Sequence, residues 1–261
     1  MKIALMDSGI GLLPAAAAVR RLRPDADLIL SWDPDGMPWG PRTPEDITER
    51  ALAVAGAAAA HEPDVLIVAC NTASVHSLPQ MRARFEPNLP IIGTVPAIKP
   101  AAAGGGHVAI WATPATTGSA YQRGLIEQFA GGVTVTEVAC PGLADAVHHA
   151  DEAAIDTAVA SAAARTPKDV TTVVLGCTNY ELVAERIRAA VQQPGRAPLI
   201  LHGSAGAVAA QALRRIGAEP QPAAVADTTL TVLLSGREAT LPDTALAYAE
   251  GRFLQTVSPV R

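Results

Sequence analysis

Aromatic residues make up only 3% of this 261-residue chain, and alanine fills the stretches that pattern as helix. No long basic run occurs, and the formal net charge is -5 at pH 7. That balance disfavours nucleic acid and an anionic membrane surface as partners. Charges and proline break every alanine-rich stretch before about 18 uncharged apolar residues accumulate, so no membrane span is expected. The opening MKIALMDSGIG carries one lysine and meets Asp7 too early for a secretory h-region, which points to the cytoplasm. Cysteine is scarce too. Three cysteines, an odd number without metal-ligand spacing, argue against a disulfide framework and for free thiols in a reducing compartment. The histidines are scattered, only His148 and His149 adjoin, and no metal site is expected.

What is abundant is apolar: 49% of the residues, enough for a sizeable core in one large domain or two of about 130 residues. Short β-rich runs alternate with alanine-rich helical stretches. KIALMD (2 to 7), ADLILSWD (26 to 33), DVLIVAC (64 to 70) and LPIIGTV (89 to 95) read as strands. Between them, TPEDITERALAVAGAAAAHE opens with a strong helix start: Thr43 as N-cap, Pro44 at N1 and Asp46 at N3. A helix is expected from about Thr72 to Phe85, kinked or broken by Pro79. Strands separated by helices imply βαβ crossovers and mainly parallel sheets.

The pattern then restarts at an offset of 105 to 108 residues. HVAIWA (107 to 112) matches KIALMD, and VTVTEVAC (133 to 140) matches ADLILSWD, with Cys140 opposite Asp33. VTTVVLGC (170 to 177) matches DVLIVAC, with Cys177 opposite Cys70. APLILHG (197 to 203) matches LPIIGTV. Four matches in order predict two similar α/β domains, each a mainly parallel sheet flanked by helices and related by an internal repeat. The expected boundaries are 1–96 with 205–261 for the first domain and 97–204 for the second, joined by KPAAAGGGH (99 to 107). Those glycines precede a strand rather than follow one, so they read as a linker and not a phosphate loop. The tail holds a helix in SAGAVAAQALRRIGA, a β-rich TTLTVLLSG and a last helix near DTALAYAEGRF, and is expected to return to the first domain.

In parallel α/β sheets, ligands gather beyond the C-terminal ends of strands. Cys70 and Cys177 both sit at such ends, each followed by small polar residues and a helix start that favours a thiolate. Two domains facing each other would set the thiols on opposite walls of one cleft. One thiol then removes a proton from a carbon and the other returns a proton on the opposite face, which is racemisation without a cofactor. Lysine is nearly absent from the motifs, so nothing points to pyridoxal phosphate. Cys140 reads as a small buried hydrophobe.

At these residues the chain resembles glutamate racemases of the aspartate/glutamate racemase superfamily. The resemblance is carried by DSGIG (7 to 11), PWG (38 to 40), ACNTAS (69 to 74), TPATTGSAYQ (113 to 122), ACPGLADAV (139 to 147) and LGCTNY (175 to 180). It implies that Cys70 and Cys177 are the acid/base thiols, with Asp7 assisting Cys70. It further implies substrate contacts from Ser8, Trp39, Gly40, Asn71, Thr72, Thr178 and Asn179. Thr113, Thr116 and Ser119 would contribute from the second domain's first loop. Trp39-Gly40 stands where the family usually has Tyr-Gly, and Leu12 breaks a usual Gly-Gly.

The larger departures surround Cys177. The family usually reads Cys-Thr-His-Tyr, whereas Asn179 stands at the third place here, and Asn has no titratable group. A family Glu eight residues after the ACP cysteine is replaced by His148. His148 and His149 read either as a solvated helix end or as a replacement for the missing imidazole. The resemblance therefore implies an amino-acid racemase for peptidoglycan synthesis, with glutamate the default substrate. Aspartate or a related acid, a decarboxylase or isomerase reaction, and a catalytically impaired binding protein remain open. A surface rich in alanine and low in charge leaves room for a homodimer.

Overall fold

The computed structural model describes residues 1–225 and 228–256. Among these, the strands are β1 (Lys2–Asp7), β2 (Asp27–Trp32), β3 (Val65–Val68), β4 (Ile91–Gly93), β5 (His107–Ala112), β6 (Thr134–Ala139), β7 (Val170–Leu175), β8 (Ile200–His202), β9 (Leu230–Leu234) and β10 (Arg237–Ala239). The chain divides into two compact units, Pro96–Ser204 and the remainder, Met1–Val95 with the chain from Ala205 onward.

The first unit carries a sheet ordered β10-β9-β2-β1-β3-β4, and the second a sheet ordered β6-β5-β7-β8. All pairings are parallel except β9 with β10. The order β2-β1-β3-β4 therefore recurs as β6-β5-β7-β8, as the internal repeat predicts. Helices cover both faces of such sheets, which is why the central strands are continuously apolar. Leu5, Met6, Leu66 and Ile67 in the first sheet, and Ala109, Ile110 and Val173 in the second, are fully buried. Each large aliphatic side chain among them stabilises the fold by about 1.5–3 kcal/mol.

Helix Pro44–Ala59 begins as its sequence predicts: Thr43 Oγ1 accepts from the Asp46 N–H, and Glu45 and Asp46 occupy the first turn. The expected break at Pro79 does not occur, and the helix runs from Asn71 to Phe85. Cross-helix bonds secure the turn just before the proline: Thr48 Oγ1 donates to the His76 carbonyl at 3.2 Å and lies 3.5 Å from Ser77 Oγ. Tertiary packing here outweighs local propensity. The expected linker is also partly structured, because Ile98–Ala103 is helical before the chain turns at Gly104 to Gly106.

The tail returns to the first unit, where β9 pairs in parallel with β2. Its hairpin partner β10 and the division of the last helix into Asp243–Leu246 and Ala249–Thr256 were not legible beforehand.

Candidate active site

Cys70 and Cys177 occupy the same place in their respective sheets. In the first, Met6 pairs with Val68, and the Ala69 N–H then donates to the Met6 carbonyl at 2.8 Å. In the second, Trp111 pairs with Leu175, and the Gly176 N–H donates to the Trp111 carbonyl at 2.7 Å. The cysteine comes next in each case and caps the following helical segment, Asn71–Phe85 or Thr178–Val183. Gly176 is dictated by the close approach of β5: a Cβ there would lie 2.8 Å from the Trp111 carbonyl oxygen and 3.2 Å from Ala112 Cβ.

The surroundings of Cys70 are built from β1, β3 and the loop after β2. Asp7 is 2% exposed, and its Oδ1 accepts from the Ser8 N–H at 2.6 Å, Ser8 Oγ at 3.1 Å and the Gly9 N–H at 3.3 Å. Burial nevertheless raises its pKa to about 6, against the opposing pull of these donors and of Cys70. Ser8 Oγ lies 3.7 Å from Cys70 Sγ, and the Ala73 N–H donates to that sulfur at 3.5 Å. Burial, then the charge of Asp7, pushes the Cys70 thiol up to about 12. The helix-start N–H of Ala73 pulls toward a thiolate as expected, as does Ser8, but burial outweighs them. Burial thus favours the protonated form of Cys70, and Asp7 lies beside it.

Asn71 is buried and Thr72 half-buried, both on the first turn of the helix that Cys70 caps. Trp39 is 2% exposed and packs in the apolar cluster that holds Cys70, Met6 and Ala73, while its Nε1–H donates to Asp33 Oδ2 at 3.1 Å. Gly40, next to it, is exposed.

The surroundings of Cys177 lie beyond β5 and β7. Cys177 is half-buried, whereas Thr178 and Asn179 are buried. Asn179 Nδ2 donates at 2.8 Å to the Ala144 carbonyl on helix Leu143–His148. His148 sits one turn further along that helix. It is 9% exposed, so the solvated helix end foreseen for the histidine pair holds only for His149. Burial first, then His149, lowers the His148 pKa, which Asp145 partly offsets. Its Nδ1 is buried and has no hydrogen-bond partner among the described residues.

Thr113 and Thr116 are half-buried and use their hydroxyls on each other, 3.2 Å apart, while Ser119 caps helix Ala120–Phe129 by accepting from the Gln122 N–H. Cys140 is buried as expected, and burial drives its thiol up to about 12. Sequence reasoning overlooked Asp33, which it noted only as the counterpart of Cys140; its value as a buried acceptor depends on long-range partners.

Paired parallel sheets with a thiol just past the same rung of each define an enzyme of the racemase type. The Asp/Glu/Hydantoin racemase family model matches residues 14–210, and the chain belongs to that family of isomerases. Glutamate racemase of Roseiflexus sp. is 40% identical over 195 residues, which cover 72% of this chain and 70% of that protein. Among solved structures, Escherichia coli glutamate racemase in complex with L-glutamate and the activator UDP-MurNAc-ala matches with a TM-score of 0.78 and 30% identity, covering 98% of this chain and 95% of that one. Glutamate racemase from Thermus thermophilus in complex with β-chloro-D-alanine matches at 0.69 and 26%, covering 99% and 94%. Among the described residues, no helix is long and apolar enough to cross a membrane.

Proposed function

We propose that this isomerase interconverts L- and D-glutamate, supplying the D-enantiomer for peptidoglycan, with Cys70 and Cys177 as its two proton-transfer groups. The observation that carries the reading is the identical placement of the two cysteines one residue past equivalent backbone hydrogen bonds. The curated relatives at 32–40% identity support glutamate as the substrate.

In one direction, Asp7 takes the proton of the Cys70 thiol, and the resulting thiolate abstracts the substrate α-proton. The carbanion-like centre then receives the proton of the Cys177 thiol on its other face, and the C–H bond lost is replaced with inverted configuration. Transfer from a thiol near pKa 12 to a carboxylate near 6 is uphill, and the Ala73 N–H lowers its cost by stabilising the sulfur as it becomes charged. Ser8, Asn71, Thr72 and Thr178 bind the carboxylate and amino groups. Trp39 and Gly40 bound the substrate beside Cys70, and Thr113 and Thr116 contribute from the loop after β5.

His148 assists Cys177 in place of the imidazole that Asn179 lacks. A neutral, buried ring with an uncommitted Nδ1 supports that role, and Asn179 fastens its loop to the same helix. Incubation with glutamate in D2O, read by NMR at Cα and by chiral chromatography, tests the function. Exchange and inversion of both enantiomers are expected. Exchange with another amino acid alone would move the substrate, and tight binding without exchange would leave a binding protein.

A further inference from the structure

Asp33, at the end of β2, is 5% exposed, and both its oxygens are engaged. Oδ2 accepts from Trp39 Nε1 and from Arg50 Nη1, each at 3.1 Å. Oδ1 accepts from Ser235 Oγ at 2.9 Å and from the Gly36 N–H at 3.2 Å. Four donors, one a guanidinium, offset the cost of burying the carboxylate. The arrangement is tight: a Cβ on Gly36 would lie 1.9 Å from Asp33 Oδ2.

Ser235 is the unexpected member. It lies in the β9–β10 turn, beyond residue 210 where the family match ends. Its φ is +46°, a backbone conformation in which glycine is less strained. The residue at this place supplies a hydroxyl instead, which reaches Asp33 and also accepts from the Asp35 N–H at 3.2 Å. On the far side of the hub, Trp39 accepts from the Arg42 N–H through its carbonyl at 3.0 Å and packs its ring in the cluster with Cys70.

We propose that Asp33 and Ser235 are positioning residues for the reaction: together they fix the Trp39 indole in the apolar cluster that it shares with Cys70. The inference rests on the proposed roles of Cys70 and Trp39. The C-terminal hairpin thereby becomes part of the catalytic apparatus without touching substrate. If the indole is released, water reaches Cys70, and the surroundings that position its proton transfer are lost.

Kinetics and the Trp39 indole N–H resonance, followed together in wild-type enzyme and variants, test this. Asp33→Asn keeps an acceptor toward Ser235 and Gly36 but sets an amide against Trp39 and Arg50. It is expected to lower kcat/KM by about 10- to 100-fold, the range spanned by loss of a hydrogen bond to a charged group, and to shift the indole resonance. Ser235→Gly relieves the left-handed backbone but removes a donor from the buried carboxylate, so its melting temperature should change little; kcat/KM should still fall about 3- to 10-fold, with the indole shifted. A purely structural serine predicts unchanged kinetics in that variant. Asp33→Asn should cost little more on a Trp39→Phe background, where the indole N–H is already gone. Unmoved constants in Ser235→Gly, or full additivity of Asp33→Asn with Trp39→Phe in an active enzyme, would overturn the inference alone. A wild-type enzyme inactive with glutamate would overturn the proposed function and this inference with it.

Discussion

Ala112 occupies in the second sheet the position that Asp7 occupies in the first. Asp7 follows the Met6–Val68 rung and pairs with Trp32, while Ala112 follows the Trp111–Leu175 rung and pairs with Ala139. Cys70 therefore has a carboxylate on the adjoining strand and Cys177 has a methyl group. The two thiols share a backbone setting but differ in the side chain on the adjoining strand.

The first prediction follows from that division. Cys70→Ser and Cys177→Ser should each lower racemisation by at least about 10²- to 10⁴-fold, the usual contribution of one acid/base group. Glutamate binding should persist in both, because separate hydroxyl and amide groups hold the substrate. Calorimetry for binding and chiral analysis for turnover separate the two effects; normal turnover in Cys177→Ser would refute the mechanism.

His148→Ala should cut turnover by about 10²-fold, with substrate affinity little changed. Asn179→His should have a small effect, since an imidazole already serves and the new side chain gives up the 2.8 Å bond to Ala144. A marked gain in Asn179→His together with a silent His148→Ala would show that the sulfur of Cys177 works unsupported. Steady-state kinetics in both directions decide between these outcomes.

Asp7 links activity and stability with opposite signs. Its folded pKa of about 6 exceeds the ordinary value of 3.8, so the folded state binds the extra proton between those values. Stability at this site accordingly falls as pH rises from about 4 through 6, and the ionised group destabilises the neutral enzyme by roughly 1–3 kcal/mol. Asp7→Asn should raise the melting temperature at pH 7.5, with the gain fading as pH drops toward 4, while activity collapses. The wild-type kcat/KM should decline below about pH 6 as Asp7 protonates. Thermal melts and a pH–rate profile check both, and a destabilised Asp7→Asn at neutral pH would contradict the sign.

Gly176→Ala should destabilise the protein by about 1–3 kcal/mol, because the new Cβ meets a backbone oxygen on β5 that cannot swing aside. The same displacement should shift Cys177 and depress turnover. A thermal melt and a turnover assay would reveal a well-tolerated alanine.

Much of this architecture was legible because it is written in local patterns. Strand runs such as KIALMD and HVAIWA are apolar through their middles, and their recurrence disclosed the repeat before any coordinate. Thr43-Pro44 marked a helix start through chemistry confined to one turn. Cys70 and Cys177 stood out because strand-end position and polar successors are also local. Pro79 suggested a break that does not occur, because the helix continues through it from Asn71 to Phe85 with residues such as Ser77 and Met81 buried in the fold. The ionisation of Cys70 misled for a similar reason: helix-start chemistry is visible in sequence, but the burial that overrides it belongs to the assembled fold. Asp33 and Ser235 lie 202 residues apart, and no pattern in either stretch announces their hydrogen bond.

Solvent isotope exchange in the two cysteine variants tests the central claim most directly. In D2O, the wild-type enzyme should place deuterium at Cα of both glutamate enantiomers. With Cys70→Ser and Cys177→Ser, each remaining thiol should act on one enantiomer only, so residual exchange should favour opposite enantiomers in the two variants, with racemisation abolished in both. Equal exchange of both enantiomers by either variant, or racemisation that survives the loss of one thiol, would contradict a two-thiol mechanism.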